Sequence, residues 1–171
     1  AEADAQNSLD QASAEQVIAA KAVTTIEFGQ VTSLVNVSFT VDGTTYNGQL
    51  DPSVTTTLED FDTFGEALLT AAGVSGQDLD AAVNAITSVT FTADQSDGGS
   101  ATATMTISAS GAPSFGSGEF ASIVEDSTDT TLQAANLKVS EASVALKTAE
   151  DAADGFFSGL TGPDAAFDTA A

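Results

Sequence analysis

Asp94, Ser96 and Asp97 place three oxygen donors within four residues, just ahead of Gly98 and Gly99. Hard oxygen ligands on a turn-forming loop are what calcium takes, so these three are the calcium candidates of the chain. The stretch lacks the glutamate that closes a helix-loop-helix calcium loop, and it is not repeated as a glycine-rich array, so its first reading is a hairpin loop. A second chemistry is the glycosidase arrangement, in which two carboxylates flank a scissile bond. Here nearly every Asp and Glu falls at a turn, a helix start or a polar helix face, where solvation or capping accounts for it. No pair stands out.

The missing residue types exclude more. The 171 residues include 25 acids and 3 bases, for a formal net charge of −22, with no His, Cys or Trp. The bases are Lys21, Lys138 and Lys147, so there is no arginine to clamp phosphate or carboxylate bidentately. Without imidazole or thiol, the usual neutral-pH base, the thiol nucleophile and the soft ligands of zinc, copper and iron are all lacking. Serine and threonine are plentiful but have no evident activating base. "FGSGEF" only superficially resembles a phosphate-binding glycine loop. The lysines read as helix-surface residues with partners four positions away, as Lys147 has in Asp151. The acidic balance repels nucleic acid and anionic membranes, and it suits a chain kept hydrated in salty water. No apolar run reaches about 18 residues, the length that spans a bilayer. A chain opening at Ala1 is expected to be processed or part of something longer.

The elements that must position these residues follow from periodicity. Leu9, Ala12, Gln16, Ala19, Val23 and Ile26 step by threes and fours, which predicts an N-terminal helix with a thin seam. Thr24 and Thr25 weaken the helix, and strand-like sequence begins. Val35, Val37, Phe39 and Val41 alternate with polar residues up to Asp42-Gly43, a pair suited to a type I′ turn, which sets Phe39 opposite Tyr46 on the buried face. Pro52 ends that ladder. Thr57 with Asp60 forms a capping signal before Leu58, Phe61, Phe64, Leu68 and Leu69, and Gly73 closes the helix. Ser75 and Asp78 repeat the start signal for a shorter helix. Thr87–Ala93 and Ala101–Ile107 read as a second hairpin, and Gly111–Gly118 interrupts the order before Phe120 and Ile123. Leu132, Ala135, Val139, Ala142, Leu146, Ala149, Ala153 and Phe156 make a heptad seam on a long final helix. Alanine-rich seams allow close approach but bury little area, so this helix needs a partner along its length: the N-terminal helix or another subunit.

The stretches "FTVDGTTY", "TLEDFDTFGEALLTAAG", "LDAAVNAIT" and "SVTFTADQSDGGSATATMTISASG" together resemble the small ββαβ-type module inserted in bacterial flagellins and other flagellar axial proteins. Residues 2–26 and 130–157 are similar to the helices that enter and leave such an insertion. The polymerising terminal segments of that family, rich in Asn, Leu and Arg, are not in the chain. The resemblance implies the outward-facing part of a filament subunit or of an analogous surface protein.

The sequence therefore predicts an α+β fold, in which β-hairpins with short helices form a compact body flanked by N- and C-terminal long helices able to pair. The expected divisions are an N-terminal helix at 1–25, the body at 26–125, a heptad helix at 126–158 and a flexible tail at 159–171. Val37, Phe39, Val41 and Tyr46 are the expected core; Leu132, Val139, Leu146 and Phe156 are the expected packing or assembly residues. The function expected is non-catalytic: a structural subunit or domain of an extracellular filament or other cell-surface or virion assembly. Its partners would be copies of itself or homologous subunits, with no cofactor, no nucleic acid and no membrane insertion. The alternatives are an adhesin, phage tail or capsid decoration module binding glycan or calcium, and a carboxylate-dependent carbohydrate hydrolase.

Overall fold

Asp42 and Gly43 both take positive φ, 49° and 77°, the left-handed backbone that a two-residue type I′ turn requires. They join β2 (Val35–Val41) to β3 (Thr44–Leu50), with Val41 opposite Thr44 and Phe39 opposite Tyr46. Val35, Val37, Phe39 and Val41 are all buried. Tyr46 stacks on Phe39 at 5.7 Å but is only half-buried, so it sits at the rim of the core and not inside it. The computed structural model describes residues 1–109 and 111–160, with side chains as far as Phe156. The expected tail, 159–171, lies outside the described residues from 161 on.

The remaining elements are, in chain order around that hairpin, α1 (Glu2–Val23) and β1 (Thr24–Phe28) before it, then β4 (Thr56–Thr57), α2 (Leu58–Ala71), α3 (Gln77–Asn84), β5 (Ser88–Asp94), β6 (Ser100–Ile107), β7 (Pro113–Phe115), β8 (Ala121–Glu125) and α4 (Thr130–Leu160). Two antiparallel sheets form, in the orders β4-β1-β8 and β3-β2-β5-β6-β7. The fold is α+β, with the two long terminal helices in contact. The chain divides into two units: residues 1–19 with those from 127 on, and residues 20–126.

In the 20–126 unit the alternation of β2, β5 and β6 turns one apolar face inward, and α2 and α3 cover it. Val89, Phe91, Ala93, Ala103 and Met105 are buried, as are Leu58, Phe61 and Leu69 of α2. Phe91 touches the rings of Phe28, Phe61 and Phe115 at 5.7, 5.9 and 5.6 Å, so a single side chain ties β1, α2 and β7 to the centre of the five-stranded sheet. Glycine at position 48 of β3 lets α2 approach: a Cβ there would stand 2.5 Å from Phe64 and 3.0 Å from Leu68. The Thr57 hydroxyl accepts the Asp60 N–H at 3.1 Å, and the Asp60 carboxylate accepts the Thr57 N–H at 3.3 Å, which is the predicted capping box.

Ile26, which continues the helical spacing but opens the expected body at 26, belongs to β1, where it is buried, because β-branched Thr24 and Thr25 have already turned the chain extended. Two expectations are corrected here. The N-cap of α3 is Gly76, at φ 64° and with no side-chain cap, in place of the Ser75 signal. The stretch Gly111–Gly118 contains a short strand, β7, whose Pro113 pairs with Ile107. Proline is tolerated there because β7 is the sheet's edge and needs no donor on its outer side.

In the other unit, α1 and α4 meet along the expected seams. Leu9 and Gln16 are half-buried and Ala12 and Ala19 buried on α1; Leu132 and Ala135 are buried on α4. Gln16 donates to Asn136 at 2.7 Å and Lys138 to Glu15 at 2.6 Å. These contacts step in opposite directions along the two helices, as an antiparallel pair does. Asp129 caps α4, its Oδ1 accepting from the N–H groups of Thr131 and Leu132, both at 2.9 Å.

Phe39→Ala is expected to destabilise the protein by about 3–5 kcal/mol, the range for a buried Phe lost from a packed core. Gly48→Ala is expected to cost about 1–3 kcal/mol through overpacking against Phe64. Urea melts of the two variants check both values, and losses under about 0.5 kcal/mol at both sites would contradict the packing described.

Candidate functional site

The calcium candidates come together in the β5–β6 hairpin loop, but they do not form a cage. Asp94 closes the ladder opposite Ser100. Ser96 donates its N–H to the Gln30 carbonyl at 3.0 Å, and the Asp97 Oδ1 accepts the Gly99 N–H at 2.9 Å. Asp97 thus makes the local turn that Asp side chains favour. All three residues are exposed. Among the described residues no group of three or more His, Cys, Asp or Glu side chains is placed to hold a metal ion.

The packing candidates of α4 form a graded stripe. Leu132 is buried, Val139 and Leu146 are half-buried, and Phe156 is 64% exposed. On the opposite side of the same helix Leu137 and Val144, seven residues apart, are exposed, as are Val17 and Ile18 of α1. The seam of α4 thus faces α1, and a second, sparser apolar set faces outward.

The lysines behave differently from the expectation. Only Lys147 uses a partner four residues on, bonding both oxygens of Asp151 at 3.0 and 3.2 Å. Its pKa is raised, chiefly by that hydrogen bond and then by the charge of Asp151. Lys21 pairs with Asp62 of α2 and Lys138 with Glu15 of α1, contacts 41 and 123 residues apart in sequence. Asp51 is held below the usual carboxylate range by the Ser53 hydroxyl and then by the Ser53 N–H. Lys147 and Asp51 both lie on open surface, where hydrogen bonding to a neighbour explains the shift without a catalytic task.

Two features were not legible as sites in the sequence. The first is an open cleft of about 450 Å³ in the 20–126 unit, lined by Glu27, Phe28, Gln30, Gln95, Glu119 and Phe120 among others. Gln30 holds φ at 50° there, a left-handed conformation unusual for a residue with a side chain. The Phe28 and Phe120 rings stack at 6.1 Å. Glu119 is anchored from outside the cleft: its Oε2 accepts the Thr104 N–H at 3.1 Å, filling a place on β6 that the three-residue β7 does not reach. The cleft gathers residues from three separated segments, which no local pattern announces.

The second feature is the outer face of the five-stranded sheet. Its registered rows run Gln49–Asn36–Thr92–Thr102 and Asn47–Ser38–Thr90–Thr104. Neighbours bond across it: Gln49 donates to Asn36 at 2.9 Å, and the Thr40 and Thr45 hydroxyls lie 3.1 Å apart. Asp94, at one end, is the single charged residue among those that β2, β3, β5, β6 and β7 turn outward. In a chain with 25 acids this face carries one charge, at its end.

Comparison with protein-family models, with curated proteins and with solved structures finds no match to this chain. The exposed, turn-bound state of Asp94, Ser96 and Asp97 gives a direct expectation: calcium at about 1 mM leaves the melting temperature unchanged, because no prearranged ligand set gains from the folded state. A calcium-dependent rise measured by calorimetry, abolished by Asp97→Asn, would contradict it.

Proposed function

We propose that the chain is a non-catalytic structural subunit or domain of an extracellular filament or other cell-surface or virion assembly, working with copies of itself or homologous subunits. Its pattern resembles the outer module of flagellin-type filament proteins. One observation carries the reading: the helices at the two ends of the chain pair along an alanine-rich seam, with the whole sheet-bearing segment between them in sequence. Such a seam brings two helix axes close and makes a stiff paired element from little apolar area. It leaves Leu137 and Val144 of α4 and Val17 and Ile18 of α1 exposed. Leu137 and Val144, seven residues apart on the side of α4 away from the seam, are the residues this reading assigns to a subunit contact.

The charge is consistent with this role. A net −22 repels nucleic acid and anionic lipid, and it makes association between copies depend on counter-ions. None of the helices described is long and apolar enough to cross a membrane.

A second reading, a decoration or adhesion module for a neutral glycan, is favoured by the cleft beside Phe28 and Phe120. Carboxylate, carboxamide and aromatic groups together suit a hydroxylated ligand.

Electron microscopy of native material, with light scattering on the isolated chain across a salt series, tests the proposal. Filaments, lattices or particles, and scattering that grows with salt, are the expected result. A strict monomer at every salt concentration that also gives a glycan-array signal lost in Gln30→Ala would replace the assembly reading with the second one.

A further inference from the structure

β3 is the outermost strand of its sheet, and among the described residues no strand pairs with its free side. Its sequence, TTYNGQL, is seven residues long without a charge, a proline or a bulge. A free strand edge presents unpaired N–H and C=O groups whose best partner is another extended chain. Proteins ordinarily guard such an edge with lysine, proline or a bulge, and β3 carries none of these.

We propose that this edge takes the β3 edge of a second copy, antiparallel about a two-fold axis, to join two five-stranded sheets into one. The inference rests on the assembly reading and names one of its contacts. Two arguments select a second copy as the occupant. An antiparallel strand edge is complementary to itself under two-fold rotation, so no other chain is needed to satisfy it. Two copies each bearing −22 meet at least electrostatic cost where a strand itself is uncharged, as Thr44–Leu50 is; the nearest carboxylates, Asp42 and Asp51, lie just beyond its two ends, and their repulsion is what salt screens.

The geometry fixes the register. Full overlap of Thr44–Leu50 with its copy puts Asn47 opposite Asn47, Thr45 opposite Gln49 and Thr44 opposite Leu50. This pairing keeps the outward residues of both copies on the same side, as directly opposed residues in an antiparallel pair must be. A seven-residue edge is a small contact, weak in an isolated pair and effective when repeated in an array. Because the charge elsewhere still repels, the contact strengthens with ionic strength.

The absence of native cysteine gives the test a clean background. Opposed Cα atoms in an antiparallel pair lie about 4.5–5.5 Å apart, inside the roughly 4.4–6.8 Å that a disulfide spans. The full chain carrying Asn47→Cys, mildly oxidised, is expected to form a disulfide-linked dimer, faster at about 0.5 M than at about 0.01 M NaCl. Thr104→Cys, on the same face but three strands inward, is expected to remain monomeric. In sedimentation of cysteine-free chains, Thr45→Glu with Gln49→Glu is expected to weaken self-association at least tenfold. Thr45→Lys with Gln49→Glu, which sets opposite charges across the axis twice, is expected to restore it. If the unmodified chain associates while Asn47→Cys does not cross-link and the glutamate pair has no effect, the β3 contact is wrong and the assembly reading stands. An unmodified chain that is monomeric in both salts overturns both.

Discussion

Phe91 is the residue on which the body depends. It is fully buried at the middle of β5, and its ring meets aromatic rings from β1, α2 and β7. Aromatic side chains bury more area than any other type and prefer the tilted contacts seen here. The three-residue β7 has only a short ladder to β6, and Phe115 adds a ring contact to it. The three-stranded sheet shares no strand with the five-stranded one, and Phe28 of β1 reaches Phe91 across the space between them. A chain whose apolar content is heavy in alanine has few large side chains to spend, and it concentrates them at this point.

The other half of the design is electrostatic. Among the described residues most carboxylates are on helices and turns, and the five-stranded sheet exposes mainly hydroxyl and amide groups. Cross-strand pairs such as Thr40 with Thr45 and Gln49 with Asn36 satisfy one another locally, and such pairs stabilise a sheet without net charge. The same chain therefore presents strongly repelling surfaces and one broad face with a single charge at its end. The helix pair works differently: small seam residues set its spacing, while the Lys138–Glu15 and Gln16–Asn136 contacts hold its register.

How much of this could be read from sequence depended on period and length. The β2–β3 hairpin was legible because strict alternation meets a two-residue turn that only certain residues adopt. The α1 and α4 seams were legible because their spacing persists over several turns. The short strand β7 was not, since three residues among Gly, Ser and Pro carry no period, and its pairing is decided by the sheet edge beside it. The cap of α3 misled because Ser75 has the right chemistry, yet the backbone placed Gly76 at the N-cap. Ser96 and Asp97 fall in the β5–β6 hairpin loop while Asp94 ends β5, and only the structure shows Asp97 engaged by Gly99. Glu119 had no signal at all, because it lies between β7 and β8 and its N–H partner Thr104 is on β6, 15 residues earlier.

β1 and β8 lie side by side, with Thr24 opposite Glu125 and the Asp126 N–H bonded to the Val23 carbonyl at 3.1 Å. The two points where the polypeptide leaves one helix and joins the other are thus a single strand spacing apart, about 5 Å. The segment from residue 25 to 124 is closed at its base by one strand pair, as a loop is closed. Closure entropy grows only slowly with length, so a roughly ten-residue turn would meet nearly the same geometric demand at that strand pair as the present hundred or so residues do.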